Sequence, residues 1–221
     1  MVRAWQAIFV LVVIASAVLL FGTRAAPPLA ESVPPATTTG ASATLAPTST
    51  VTSVPILMYH YIRDYDNPID KIGVGLSVAP ATFERQLNYL KENGFVSASL
   101  DEFVQHRLPE KSVILTFDDG YADHYTVVFP ALKARGMKAT FYIVSRAVGT
   151  PGSMTWEQLR EMKAAGMQIE GHTVSHRDLT RLTQDDILKE LVESKRTIED
   201  NLSTTVNHFC YPSGKYTEAI A

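Results

Sequence analysis

The chain has one cysteine in 221 residues, Cys210, so an intrachain disulfide is excluded. No cysteine follows the apolar N-terminal stretch, which excludes a lipid-bearing residue at that point. Clusters of Lys and Arg are missing too. With a formal net charge of −3, nucleic acid is not expected as a partner, because polyanion binders carry a basic patch. Nor is there a glycine-rich phosphate or dinucleotide signature, which argues against an open nucleotide-binding sheet. What is present is an apolar fraction of 46%, enough to fill the core of one ordinary domain, and six histidines.

From Ala4 to Thr23 the chain is uncharged and rich in Ile, Phe, Val, Leu and Ala, with Arg3 before it and Arg24 after. Twenty helical residues span about 30 Å, the thickness of a bilayer core. The expectation is a signal-anchor within residues 1–24 that leaves the body outside the cytoplasm, with a cleaved signal peptide, and hence secretion, as the alternative. Residues 25–53 are rich in Pro, Thr, Ala and Ser, show no periodicity, and read as a semi-extended tether. The domain proper is then 54–221.

Within it, apolar segments alternate between strand and helix character. Strands are expected at Val54–Tyr59, Phe95–Ala98, Ser112–Phe117, Lys138–Val144, Met167–Glu170 and Asn207–Tyr211. A helix over Thr82–Asn93 presents Phe83, Leu87 and Leu90 on one face and stops at Gly94, and another over Val127–Arg135 stops at Gly136. Ser99 with Glu102, and Thr155 with Gln158, have capping-box spacing, and the second helix ends at Gly166. Thr183 caps a longer helix carrying Ile187, Leu191, Ile198 and Leu202. Repeated β-α units imply a parallel sheet, and a barrel is the expected form, with functional groups gathered where strands end. That rule singles out His60, Asp118, Asp119, His172 and Pro212 by position.

Two constellations carry chemistry. Lys111–Tyr121, K-S-V-I-L-T-F-D-D-G-Y, is a β-branched run ending in two carboxylates and a glycine. Side chains of neighbouring residues diverge at a strand end, so one carboxylate can take a metal while the other faces a water; the plainer reading is an Asp-Gly turn. The second is G-H-T-V-S-H-R, Gly171–Arg177. Three residues separate His172 and His176, which lets both imidazoles reach one metal, though capping or surface histidines fit the spacing as well. Together with a carboxylate from another strand end they make a two-His, one-carboxylate set that leaves metal positions open.

T-F-D-D-G at Thr116–Gly120 followed by H-T-V-S-H at His172–His176 resembles the first two motifs of the polysaccharide deacetylases, the NodB-homology or carbohydrate esterase family 4 enzymes. V-P-I-L-M-Y-H-Y-I at Val54–Ile62 and F-C-Y-P-S-G-K-Y at Phe209–Tyr216 are similar to the opening strand and third motif of the branch containing poly-N-acetylglucosamine deacetylases. The resemblance implies an α/β fold, a distorted and incomplete (β/α) barrel. It implies a divalent metal, zinc as first choice, held by Asp119, His172 and His176, with Asp118 as general base. The Ser213 backbone N–H would support an oxyanion, and Tyr211 and Pro212 would line the substrate groove. The partner implied is an N-acetylated polysaccharide of cell wall or exopolysaccharide. Many family members have an arginine orienting the base where this chain has Cys210, which otherwise reads as a small buried hydrophobe. The family's later motifs, including the histidine that protonates the leaving amine, would lie beyond Ala221, so the expected domain is C-terminally truncated.

The readings carried forward are a metal-dependent hydrolase removing N-acetyl groups, a non-catalytic carbohydrate-binding remnant, an O-acetyl esterase on a xylan-like polymer, and a structural surface protein. His60 reads as a groove residue or a structural histidine. Tyr121, Trp156 and Tyr216 read as sugar-stacking or anchoring aromatics. The metal reading requires the ligand atoms of Asp119, His172 and His176 to lie within about 4 to 5 Å of one another.

Overall fold

The computed structural model describes residues 53–221; the expected anchor, and the tether except Ser53, lie outside the described residues. Five strands are present among the described residues: β1 (Ile56–Tyr59), β2 (Val96–Ser97), β3 (Ser112–Phe117), β4 (Thr140–Ile143) and β5 (Gln168–Gly171). All pairings are parallel, in the order β1-β3-β4-β5, with β2 on the opening residues of β3. The register aligns Tyr59 with Phe117, Phe117 with Phe141, and Phe141 with Ile169. β1 and β3 therefore end level, and β4 and β5 end together two residues further on.

Six α-helices accompany the sheet: α1 (Lys71–Leu76), α2 (Pro80–Glu92), α3 (Leu100–Val104), α4 (Phe129–Lys133), α5 (Trp156–Ala164) and α6 (Gln184–Leu202). Both expected capping boxes form, Ser99 with Glu102 and Thr155 with Gln158, and Thr183 caps α6. Phe83, Leu87 and Leu90 bury the inner face of α2. Alternation along β3 then divides the interior. Val113, Leu115 and Phe117 join the large core under the helices, where the rings of Tyr59, Phe117 and Phe141 stack at 5.1 and 5.0 Å between centroids. Ile114 faces the other way, with Tyr142, Leu100 and the partly buried Val54, Ile56 and Cys210. Asp118 follows on the Ile114 side, at the top of the smaller core.

Two expected elements differ. Residues 207–211 do not form a strand; one bridge, Gly171 to Phe209, is all that remains. There the Glu170 carboxylate accepts from the N–H groups of Asn207 (2.9 Å) and His208 (2.8 Å), and in the register of the bridge the His208 N–H is one that a longer ladder would use. The helix expected over Val127–Arg135 begins as a π-helical turn, His124–Val128, before α4. Pro130 has no N–H to give the carbonyl four residues earlier, and the turn before it widens. The result is an open α/β sheet, an incomplete barrel whose strands do not close among the described residues. No helix among the described residues is long and apolar enough to cross a membrane.

Candidate metal and catalytic centre

The centre forms where β3 and β5 end. Beyond Phe117 the backbone turns through two left-handed residues, Asp119 at φ 76° and Gly120 at φ 78°. This conformation costs a non-glycine residue about 1–2 kcal/mol, and its effect is to swing the Asp119 carboxylate away from Asp118. The segment after β5 has the same character, with Thr173 at φ 67° and His176 at φ 58°. Left-handed non-glycine residues thus flank the site from both strands.

The ligand atoms of Asp119, His172 and His176 lie within 4.8 Å of one another. Asp119 Oδ1 is 3.5 Å from His172 Nε2 and 3.3 Å from His176 Nε2. His172 is almost fully buried, and its Nδ1–H donates to the Cys210 carbonyl at 2.7 Å. That bond leaves Nε2 as the bare acceptor. Burial lowers the His172 pKa to about 4, against the raising effect of Asp119, so the ring is neutral at pH 7. The bare Nε2 of His172 therefore faces an oxygen of Asp119. Such a donor set fits a divalent cation and is otherwise repulsive.

Asp118 is the second carboxyl of the centre, with an oxygen within 4.8 Å of a His172 nitrogen and of Cys210 Sγ. It is 3% exposed, its Oδ1 has no hydrogen-bond partner among the described residues, and its Oδ2 lies 3.6 Å from Cys210 Sγ and 3.8 Å from His60 Nε2. Burial, reinforced by the Asp119 charge and opposed by the Cys210 thiol, pushes its pKa up to about 7. A carboxyl near neutrality, beside but outside the ligand triad, is suited to accepting a proton.

Cys210 packs half-buried against the smaller core, as its type leads one to expect. Its carbonyl orients His172 and its thiol contacts Asp118. His60 also belongs to the centre: the His124 ring nitrogen Nε2 donates to its carbonyl at 2.6 Å, and Asp123 accepts the Ile62 N–H at 2.8 Å. These bonds from the turn after Gly120 hold the end of β1 so that the His60 ring faces Asp118. Burial lowers the His60 pKa. The sequence signal for it was position alone, a histidine directly following a strand.

Ser213, at φ 55°, sits in the Pro212–Gly214 turn with Pro212 buried. Tyr211 packs against Phe209 and Tyr216, with centroids at 5.0 and 5.3 Å. No hydrogen bond among the described residues joins Tyr211, Pro212 or Ser213 to the carboxylates or histidines; Cys210 is the link from this segment to the centre. Tyr121 stacks on Tyr61 at 4.0 Å, and Trp156 packs partly buried against the large core.

Strand-end carboxylates and histidines on an open parallel α/β sheet make a candidate metal site, and comparison with known proteins gives the chain a family. Residues 105–221 match the sequence profile of the polysaccharide deacetylases, and the chain belongs to that family. The Bacillus subtilis (strain 168) protein YxkH is 35% identical over 170 residues, covering 75% of this chain and 58% of that protein. The poly-beta-1,6-N-acetyl-D-glucosamine N-deacetylase of Escherichia coli K12 is 34% identical over 119 residues, 44% of this chain and 18% of its own length. The chain thus spans less than two thirds of these curated relatives. Among solved structures, the Streptococcus pyogenes deacetylase PplD in complex with acetate superposes with a TM-score of 0.70 at 34% identity, over 76% of each chain.

Proposed function

We propose that the chain removes N-acetyl groups from an N-acetylglucosamine polymer of cell wall or exopolysaccharide, using a divalent cation, zinc as first choice, held by Asp119, His172 and His176. The observation that carries this is the approach of those three ligand atoms to within 4.8 Å, with a separate buried carboxyl, Asp118, beside them. The Escherichia coli relative, named for deacetylating a β-1,6-linked polymer of this sugar, supports the substrate class.

When bound, the cation supplies Lewis acidity to the acetyl carbonyl and makes water more acidic. Asp118, with its pKa near 7, takes the proton from the attacking water. Amide cleavage then needs a proton at the departing nitrogen, which leaves poorly as an anion. His60, with Nε2 3.8 Å from Asp118 Oδ2, is placed to relay it. The balance is one amide and one water consumed, one acetate and one protonated amine formed. The Ser213 N–H is assigned to the oxyanion, and Tyr211 and Pro212 to the groove wall, on their place after Cys210. The apolar run Ala4–Thr23 supports a body tethered outside the cytoplasmic membrane through residues 25–53.

The test is acetate release from N-acetylglucosamine oligomers by the full chain loaded with zinc. Release that disappears in His172→Ala supports the proposal. Zinc binding without release from any N-acetylated oligomer would leave a carbohydrate-binding protein instead.

A further inference from the structure

The two histidines of the centre are held in different ways. His172 is fixed by burial and by its bond to the Cys210 carbonyl. The His176 side chain is 36% exposed, with its ring edge-on to that of His172 at 4.8 Å between centroids, and its backbone sits in the left-handed region. Its aim at Asp119 depends on what pins residues 173–176. Thr173 Oγ1 accepts from the His176 N–H at 2.9 Å, and the Val174 carbonyl accepts from Arg146 N–H at 3.0 Å. Ser145 N–H donates to the Thr173 carbonyl at 3.1 Å, and a further hold, on Ser175, comes from α6.

We propose that Glu190 is a positioning residue that sets His176 for metal binding by clamping Ser175; this rests on the metal reading above. Glu190 is 7% exposed and shares the buried stripe of α6 with Ser194, Ile198 and Leu202. A carboxylate is a costly way to fill a core-facing position, and a leucine would serve packing better. Both oxygens are engaged by one residue: Oε2 accepts from Ser175 N–H at 2.9 Å, and Oε1 accepts from the Ser175 hydroxyl. This double grip fixes the residue immediately before His176 against a helix 19 residues long. Partners that orient a metal ligand in this way typically account for about 10- to 100-fold in metal affinity.

The experiment measures zinc affinity of the full chain by competition with a chromophoric chelator, together with melting of the metal-free protein. Glu190→Ala is expected to weaken zinc about 10- to 100-fold. Glu190→Gln should recover most of that loss, because its amide oxygen still accepts from Ser175 N–H and its NH2 can donate to Oγ. Ser175→Ala removes the hydroxyl half of the clamp and keeps the backbone half, so it should weaken zinc less than Glu190→Ala and add little to it. Wild-type affinity in a folded Glu190→Ala protein overturns the proposal. So does a loss that Gln fails to reduce and that adds independently to Ser175→Ala. If Glu190→Ala does not fold, Ser175→Ala decides, and unchanged affinity there sinks the clamp. Absence of zinc binding by the wild-type chain removes the metal reading and the clamp with it, whereas binding unaffected by these changes removes the clamp alone.

Discussion

Adjacent aspartates at the end of one strand face different neighbours because one φ angle separates them. Asp118 keeps the strand's alternation and enters the inner core, while Asp119 turns left-handed toward the histidines. Asp118→Asn keeps the shape and the triad but cannot take a proton. Acetate release should fall about 10²- to 10⁴-fold with zinc affinity retained, as read by parallel activity and chelator-competition assays. The residue pattern made this division legible, since successive side chains at a strand end diverge. Cys210, Glu190 and His60 were less legible, for physical reasons. Cys210 acts largely through its backbone carbonyl, which no residue type announces. Glu190 lies on the same α6 stripe as Ser194 and Ile198, and only the observed burial shows a charged side chain facing in. His60 gains its meaning from hydrogen bonds made by His124 and Asp123, more than 60 residues away.

Local signals placed the elements where side chain and backbone agree. Capping boxes, strand β3 and the apolar face of α2 follow directly from residue type and spacing. Where a distant side chain competes for a backbone group, as Glu170 does for the His208 N–H, the pattern over-read a strand. The turn joining β3 to the π-helical segment depends on Gly120. At φ 78°, a Cβ there would also sit 3.3 Å from Ile143 Cδ1. Gly120→Ala should therefore destabilise the fold by about 1–2 kcal/mol. For a domain of this size that lowers the melting temperature by about 2 to 8 °C, measurable by calorimetry.

A second element-scale test uses pH. Burial opposes ionisation of Glu102, but its bonds to Lys138 and Ser99 prevail and hold its pKa below the usual range. The ion pair ties α3 to the start of the β4 segment, with Lys138 Nζ at 2.8 Å. A depressed folded-state pKa contributes stability above the unfolded value, about 4.3, that is lost as pH falls through the folded value. Glu102→Gln keeps the capping box but not the ion pair. The wild-type advantage, at most about 1 kcal/mol at pH 7, should shrink below about pH 4 in thermal melts of the two proteins.

At the scale of the whole domain, the ligand triad spans elements that are not neighbours in the sheet. Asp119 follows β3 and the histidines follow β5, with β4 between them. Without a cation, the site brings a carboxylate oxygen and the His172 lone pair together and holds left-handed residues on both segments, so it works against folding. A cation reverses that sign, because binding to the folded state alone stabilises it by RT ln(1 + [L]/Kd). At a free zinc concentration about 100 times Kd, the gain is about 2.7 kcal/mol, or about 5 to 11 °C in melting temperature. Dialysis against a chelator should lower the melting temperature by that amount and added zinc should restore it. His172→Ala should melt at one temperature under both conditions. It should also lie close to or above the stripped wild type if relief of the unpaired acceptors outweighs the cavity left by the ring. A chelator effect of equal size in wild type and His172→Ala would place the bound metal elsewhere.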